Sequence, residues 1–359
     1  MTTIKDVAKA AGVSPATVSR VMNGTANVDS DKKLRVERAI RETGFEPNKL
    51  ARALFKKSSG LIGLIVPNIE NPFFNELARV IEEKAFEGGL HILLCSSGND
   101  TNKEQANIRM LGQMNADGII LITNGSHTGR MIDACKMPVI VVDRHLVGCG
   151  EIAYIEADHY KGGRMAAQHL VDCGCRSIVC LRGPQEYTSG LLRFRGYQDI
   201  CRENGLEEQY VDCRYNFESG LSAAREMLER YRGFDGVVAA NDMVAISAYK
   251  VLRGKGIRVP EDVQLIGFDD IRFSNLISPE LTTIRQPIEE MGKRAVEIIF
   301  QRAAGKKIQE ENIFDVRLIE RETTMSGSRE ISLDTDNEGC EASRVRGAEQ
   351  LPEFNVYRR

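Results

Sequence analysis

No stretch of the 359-residue chain approaches the roughly 20 consecutive apolar positions that a membrane span requires, although 42% of its residues are hydrophobic. The leading segment MTTIKDVAKAAG carries Lys5, Asp6 and Lys9 where a secretory leader needs an unbroken apolar core, so a cytoplasmic protein is expected. The nine cysteines are odd in number and contain no Cys-x-x-Cys pair. That argues against a disulfide framework and against a zinc site, and buried reduced thiols are the simpler reading. The five histidines, at 91, 127, 145, 159 and 169, show no metal-ligand spacing. A Gly-x-Gly-x-x-Gly turn, a P-loop and a nucleophile elbow are all missing, so the sequence suggests no dinucleotide fold and no enzyme. No catalytic residue, metal ligand or cofactor is assigned.

What is present begins with a charge asymmetry. Residues 1–60 hold 12 Lys and Arg against 6 Asp and Glu, a balance of +6, whereas the remainder holds 36 against 45, a balance of −9. A small basic head on a large acidic body suits contact with a polyanion.

Three short helical patterns fill the head. Ile4, Val7, Ala8 and Ala11 mark one face of the first, with Thr3 as its N-cap, and Gly12 permits a sharp turn. Ser14 caps a second helix whose first position is Pro15, where the missing N–H costs nothing; Val18, Val21 and Met22 form its inward stripe. A third runs from about Asp31 to Gly44 with Leu34, Val36, Ala39 and Ile40 inward. Helix, three-residue turn, helix is the helix-turn-helix spacing, and its second helix reads the major groove. That helix presents Ala16, Thr17, Ser19, Arg20 and Asn23. Arg20 could fork onto guanine O6 and N7, while Ala16 or the Thr17 methyl could meet a thymine methyl. A small helical bundle with an ordinary solvated face would share this spacing.

The body alternates apolar runs with amphipathic helical segments. The runs are 61–66, 91–95, 118–122, 138–142, 177–181, 236–240 and 263–268, and the segments between them include Glu76–Phe86 and Gly220–Tyr231. Such alternation predicts an α/β protein with parallel sheets covered on both faces, and the strand count suits two sheets. Ligands in such folds bind beyond the carboxyl ends of strands. Those ends are polar here: PNIENPFF after the first run, then Asp143-Arg144, Arg182-Gly183, Asn241-Asp242 and Asp269-Asp270. Each has an ordinary reading, since a strand-end aspartate often caps the next helix and paired phenylalanines are usually core. Their recurrence suits a polyhydroxylated ligand, whose hydroxyls need donors and acceptors and whose C–H faces need aromatic planes.

The segment TIKDVAKAAGVSPATVSRVMNG resembles the DNA-binding head of the lactose-repressor family of bacterial regulators. NKLARALFKK, residues 48–57, resembles that family's hinge helix, with the pattern N-x-x-A-R-x-L on Asn48, Ala51, Arg52 and Leu54. The resemblance implies that Leu54 wedges into the minor groove of double-stranded operator DNA, with Ser14, Asn48, Arg52 and Lys56 among the DNA contacts. A helix this short orders only when paired with its twin on DNA. VIVVDRH, AANDMVA and LIGFDDIRFSNLISPELTTIRQP extend the resemblance through residue 326, onto a two-lobed core like that of periplasmic sugar-binding proteins.

The sugar contacts implied are most similar to those of the ribose-binding members. They fall on Asn71, Phe73 and Phe74, with the two rings sandwiching the sugar, and on Asp143, Arg144, Arg193, Phe217, Asn241, Asp269 and Gln286. The implied domains are a head at 1–47, a hinge helix and linker at 48–60 and an effector core at 61–326. Lobe 1 of that core takes about 61–160 and 290–316, and lobe 2 about 161–289 and 317–326. Residues 327–359 are rich in Ser, Gly, Glu and Asp without periodicity and are expected to be disordered. They lack leucine heptads, so a homodimer is the expected assembly. The implied function is a sequence-specific repressor whose effector is a small sugar, D-ribose first. Alternatives are a family regulator answering to another sugar or a protein co-repressor, a sugar-binding transport protein, and a cytoplasmic sugar enzyme.

Overall fold

The computed structural model describes residues 2–23, 28–45, 58–123, 132, 135, 137–144 and 152–325. The chain forms two compact units, divided between residues 55 and 56.

The first unit holds three helices: α1 (Ile4–Ala11), α2 (Pro15–Asn23) and α3 (Ser30–Thr43). The Thr3 N–H donates to Asp6 Oδ2 at 2.8 Å, which closes the first turn of α1. Gly12 ends α1 with φ of 64°, the left-handed conformation that glycine adopts without steric cost. Ser14 caps α2 as its sequence suggests, its Oγ accepting from the Thr17 N–H at 3.2 Å. Val7, Ala8, Ala11, Val18, Val36 and Ala39 form the core, with Val21, Met22 and Ile40 packed at its edge. Leu34 departs from expectation and is 62% exposed. Two residues before Val36, it lies about 200° round the helix from the buried stripe.

The second unit is built on two six-stranded sheets. The first contains β1 (Leu61–Val66), β2 (His91–Ser96), β3 (Gly118–Leu121), β4 (Val139–Val142), β5 (Ala153–Ala157) and β11 (Glu311–Phe314). The second contains β6 (Ile178–Arg182), β7 (Gln209–Asp212), β8 (Gly236–Ala239), β9 (Gln264–Asp269), β10 (Thr282–Arg285) and β12 (Arg317–Ile319). Their orders are 11-5-4-3-1-2 and 12-10-9-8-6-7. Every pairing is parallel except that of β10 with β12. Strands β1, β3, β4, β8 and β9 are apolar and buried almost end to end, as sheets covered on both faces demand. The covering helices are α4 (Pro72–Glu87), α5 (Thr101–Gln113), α6 (His159–Asp172), α7 (Thr188–Glu203), α8 (Phe217–Arg230), α9 (Asp242–Gly254) and α10 (Ile288–Ala303). The chain leaves the first sheet after β5, returns to it through α10 and β11, and leaves again for β12.

Helices α6 and α7 cross backbone to backbone. A Cβ on Gly163 would overlap the Arg193 carbonyl oxygen, and one on Gly196 would stand 2.5 Å from the Tyr160 carbonyl oxygen. Gly163→Ala therefore forces the helices apart and should destabilise this unit by about 1–3 kcal/mol, the usual cost of overpacking. Thermal unfolding measures it; a midpoint equal to the parent's would mean that the crossing is not tight.

Candidate functional site

On the head, α2 turns its apolar side to the core and leaves Ala16 and Arg20 exposed, with Thr17 and Ser19 half-buried. Ser14 Oγ also lies 3.0 Å from Thr17 Oγ1. The Asn23 side chain and the hinge residues Asn48, Arg52, Leu54 and Lys56 lie outside the described residues.

In the larger unit, a small, partly open cavity lies among the strand ends of both sheets. Its lining brings together nine of the ten sequence-selected residues: Asn71, Phe73, Phe74, Asp143, Arg144, Arg193, Asn241, Asp269 and Gln286. The first five follow β1 and β4, Asn241 and Gln286 follow β8 and β10, Asp269 ends β9, and Arg193 projects from α7. Phe217 is not in the lining. It is the first residue of α8, with Lys250 Nζ 5.6 Å from its ring centre. Tyr215 and Ser189 line the cavity instead. Asn216, whose Oδ1 accepts from the Ser219 N–H at 2.9 Å, caps α8 and so places Phe217 in the helix. That capping signal was readable in the sequence and would have moved the choice to Tyr215, in the loop after β7.

Phe73 and Phe74 meet edge to face, with ring centres 5.5 Å apart and planes at 70°. A sugar held between two rings needs about 7 Å, twice a van der Waals contact, so the sandwich expected of this pair does not form.

The two asparagines serve the fold as well as the cavity. Asn71 Oδ1 accepts from the Phe73 N–H at 3.1 Å, and Asn241 Oδ1 from the Val244 N–H at 3.0 Å. Each caps the helix that follows it, so donation through Nδ2 is what its carboxamide has left to offer.

The charged residues are almost wholly buried. Asp143, Arg144, Asp269 and Gln286 are between 3% and 6% exposed. Asp143 (φ 66°) and Asp269 (φ 117°) both take positive φ, which turns them out of their strands at the cavity mouth. Arg144 donates through Nη1 to the Thr123 carbonyl at 3.1 Å, and its guanidinium lies 3.9 Å from the Tyr187 ring centre. Arg193 donates through Nη1 to the Ala240 carbonyl at 2.7 Å, lies over the Phe268 ring at 3.6 Å and places Nη2 3.6 Å from Asp269 Oδ1. Gln286 Nε2 donates to Asp269 Oδ1 at 2.7 Å. Burial pushes the Asp269 carboxyl well above the usual range; Arg193 opposes the rise and the neighbouring Asp242 adds to it. Burial acts in the same direction on Asp143, but His159, Arg193 and Arg144 outweigh it and hold that carboxyl below its ordinary value.

Several buried polar atoms here lack a hydrogen-bond partner: Asp143 Oδ1, Arg144 Nε, Gln286 Oε1 and, just behind them, His159 Nε2. Natural proteins leave few such atoms unmatched, and a concentration of them around one cavity is the mark of a polar ligand's place.

Residues 3–48 match the family described as bacterial regulatory proteins, lacI family, and residues 167–324 match the periplasmic binding protein-like domain. A ribose operon repressor of Halalkalibacterium halodurans is 34% identical over 328 residues, which is 91% of this chain and 98% of that protein. A periplasmic binding protein/LacI transcriptional regulator from Alkaliphilus metalliredigens, solved in complex with D-xylulofuranose, is 34% identical. That match covers 74% of this chain and all of the other, with a TM-score of 0.69. The lac repressor dimer bound to operator and the anti-inducer ONPF is 26% identical, covers 90% of this chain and 99% of its own, and superposes with a TM-score of 0.81. With identity of that order sustained over nine-tenths of its length, the chain belongs to the lacI family of bacterial regulatory proteins and is a DNA-binding regulator of transcription.

Proposed function

We propose that this regulator is a repressor whose hold on its operator is set by a free sugar, D-ribose foremost, bound in the cavity between the two sheets. The unmatched atoms of Asp143, Arg144 and Gln286 carry the proposal. A carboxylate oxygen seeks a donor, a guanidinium N–H seeks an acceptor, and a sugar hydroxyl is both. Asn71, Arg193, Asn241 and Asp269 add further partners around the ring, while Phe73, Phe74 and Tyr215 offer apolar surface to its C–H faces. The ribose operon name of the Halalkalibacterium relative and the D-xylulofuranose of the Alkaliphilus structure support a five-carbon sugar.

In this reading α2 enters the major groove with Ser14, Ala16, Thr17, Ser19, Arg20 and Asn23. Asn48, Arg52, Leu54 and Lys56 carry the contact into the minor groove, and a cytoplasmic homodimer spans the two half-sites.

Calorimetry and thermal unfolding of the full chain with D-ribose, D-xylose and D-glucose test the effector. D-Ribose should give saturable heat and, at a hundredfold excess over its dissociation constant, stabilise the fold by about 2.7 kcal/mol. Silence with D-ribose beside a clear signal with another sugar would reassign the ligand and spare the cavity; silence with every sugar would remove the sugar reading.

A further inference from the structure

His159 is the first residue of α6, immediately past the first passage of the chain from one sheet to the other. It is 1% exposed and does not line the cavity. Its two ring nitrogens face the opposite walls of the site. Nε2 lies 3.4 Å from Oδ1 of Asp143, which follows β4 of the first sheet. Nδ1 lies 3.4 Å from both Nε and Nη2 of Arg193, on α7 beside the second sheet. The ring stands 6.1 Å from Phe268, over which the Arg193 guanidinium also lies. Neither His159 Nε2 nor Asp143 Oδ1 completes a hydrogen bond as they stand.

The neighbours dictate the state of the ring. An arginine can only donate, so Nδ1 must accept; a carboxylate can only accept, so Nε2 must carry the proton. The neutral Nε2–H tautomer meets both demands, and a small shift brings its N–H onto Asp143. Asp143 and Arg193 attract one another across the cleft. His159 stands between the two, 3.4 Å from Asp143 Oδ1 and 3.4 Å from the Arg193 guanidinium.

We propose that His159 is a positioning residue that keeps Asp143 and Arg193 apart, bonded to each, so that one sugar molecule can reach both. The inference rests on the sugar reading of the cavity.

The test measures D-ribose affinity by calorimetry on the full chain for the parent, His159→Asn, Asp143→Asn and the double variant. Asparagine keeps an acceptor where Nδ1 faces Arg193, but its shorter side chain carries no donor to the position that Nε2 holds beside Asp143. His159→Asn should weaken D-ribose binding at least tenfold in the parent and less than threefold once Asp143 is already asparagine, because the histidine acts through that carboxylate. A purely structural role would instead lower the thermal midpoint and give additive losses. Additive losses, or an unchanged affinity, overturn the proposal. A sugar-free arm separates this from the choice of ligand. Nitrogen-15 spectra of the histidine rings should show His159 as the Nε2–H tautomer, with an Nδ1 resonance that moves on Arg193→Met. An Nδ1–H ring, or a resonance indifferent to that change, refutes the bridge whichever sugar binds, whereas a parent blind to D-ribose but showing the bridge refutes only the ligand.

Discussion

Asp269→Ala should bind operator DNA as the parent does and cease to respond to sugar. Asp269 is 4% exposed, accepts from Gln286 Nε2 at 2.7 Å and faces Arg193 Nη2 at 3.6 Å. Removing it strands a buried guanidinium and a carboxamide as well as the sugar hydroxyls it would accept. Each buried group that the complex leaves without its partner costs about 1–3 kcal/mol, and every 1.4 kcal/mol is about a factor of ten in affinity. A loss of more than a hundredfold in sugar binding follows. A ligand moves a conformational equilibrium only by its difference in affinity for the two states, so the response disappears with it. Because Asp269 has φ of 117°, where alanine is strained, Asp269→Asn is the companion variant; it tolerates the backbone better and removes the charge alone. Operator retention measured with and without D-ribose decides the matter, and a variant still released like the parent would put the effector elsewhere.

Arg20→Ala should lower affinity for the operator far more than for random DNA. Arg20 is exposed on α2, whose opposite face is fixed to the core by Val18. A bidentate arginine–guanine contact is worth about 1–3 kcal/mol of discrimination, a drop of roughly fivefold to more than a hundredfold confined to the specific site. A phosphate contact would instead weaken both complexes alike and flatten the salt dependence. Competition binding at two salt concentrations distinguishes the two, and equal losses would take Arg20 out of the groove.

The sequence announced those elements whose side chains are uniformly apolar. Strands β1, β2, β3, β4, β6, β8 and β9 all fall on runs visible without a structure, and all but β2, an apolar edge strand half open to solvent, are covered on both faces. Strands β5, β7, β10, β11 and β12 were not singled out, for different reasons: β5 is interior, but Glu156 interrupts its five residues. β7, β11 and β12 are sheet edges, half open to solvent and correspondingly mixed in sequence. β10 is interior yet reads Thr-Thr-Ile-Arg. Its threonines are fully buried, with Thr282 Oγ1 2.9 Å from Thr324 Oγ1 and Thr283 Oγ1 donating to Asp242. A polar run is disguised as loop when its hydroxyls are satisfied by partners 41 or 42 residues away. The cavity was legible for a related reason: strand ends lie at predictable sequence positions, and most of its residues follow directly from them. Ser189 and Tyr215 escaped because Ser189 lies in the first turn of α7 and Tyr215 follows β7, an edge strand that no apolar run marks. His145, the one histidine that the sequence sets beside the cavity, lies outside the described residues.

The order in which the strands are made has a consequence for how the protein comes off the ribosome. The first sheet is complete only when β11, at residues 311–314, pairs with β5, and its helical cover only when α10 arrives at 288–303. The whole second sheet but its last strand is synthesised in between. Until then β5 is an open edge of the sequence Ala-Tyr-Ile-Glu-Ala, and the apolar face later covered by Val296 and Ile299 of α10 is bare. An uncovered parallel edge is a template for another chain. A nascent or prematurely terminated chain ending anywhere between residues 158 and 287 would thus be a client for chaperones and proteases, while its basic head, already finished, could still find DNA.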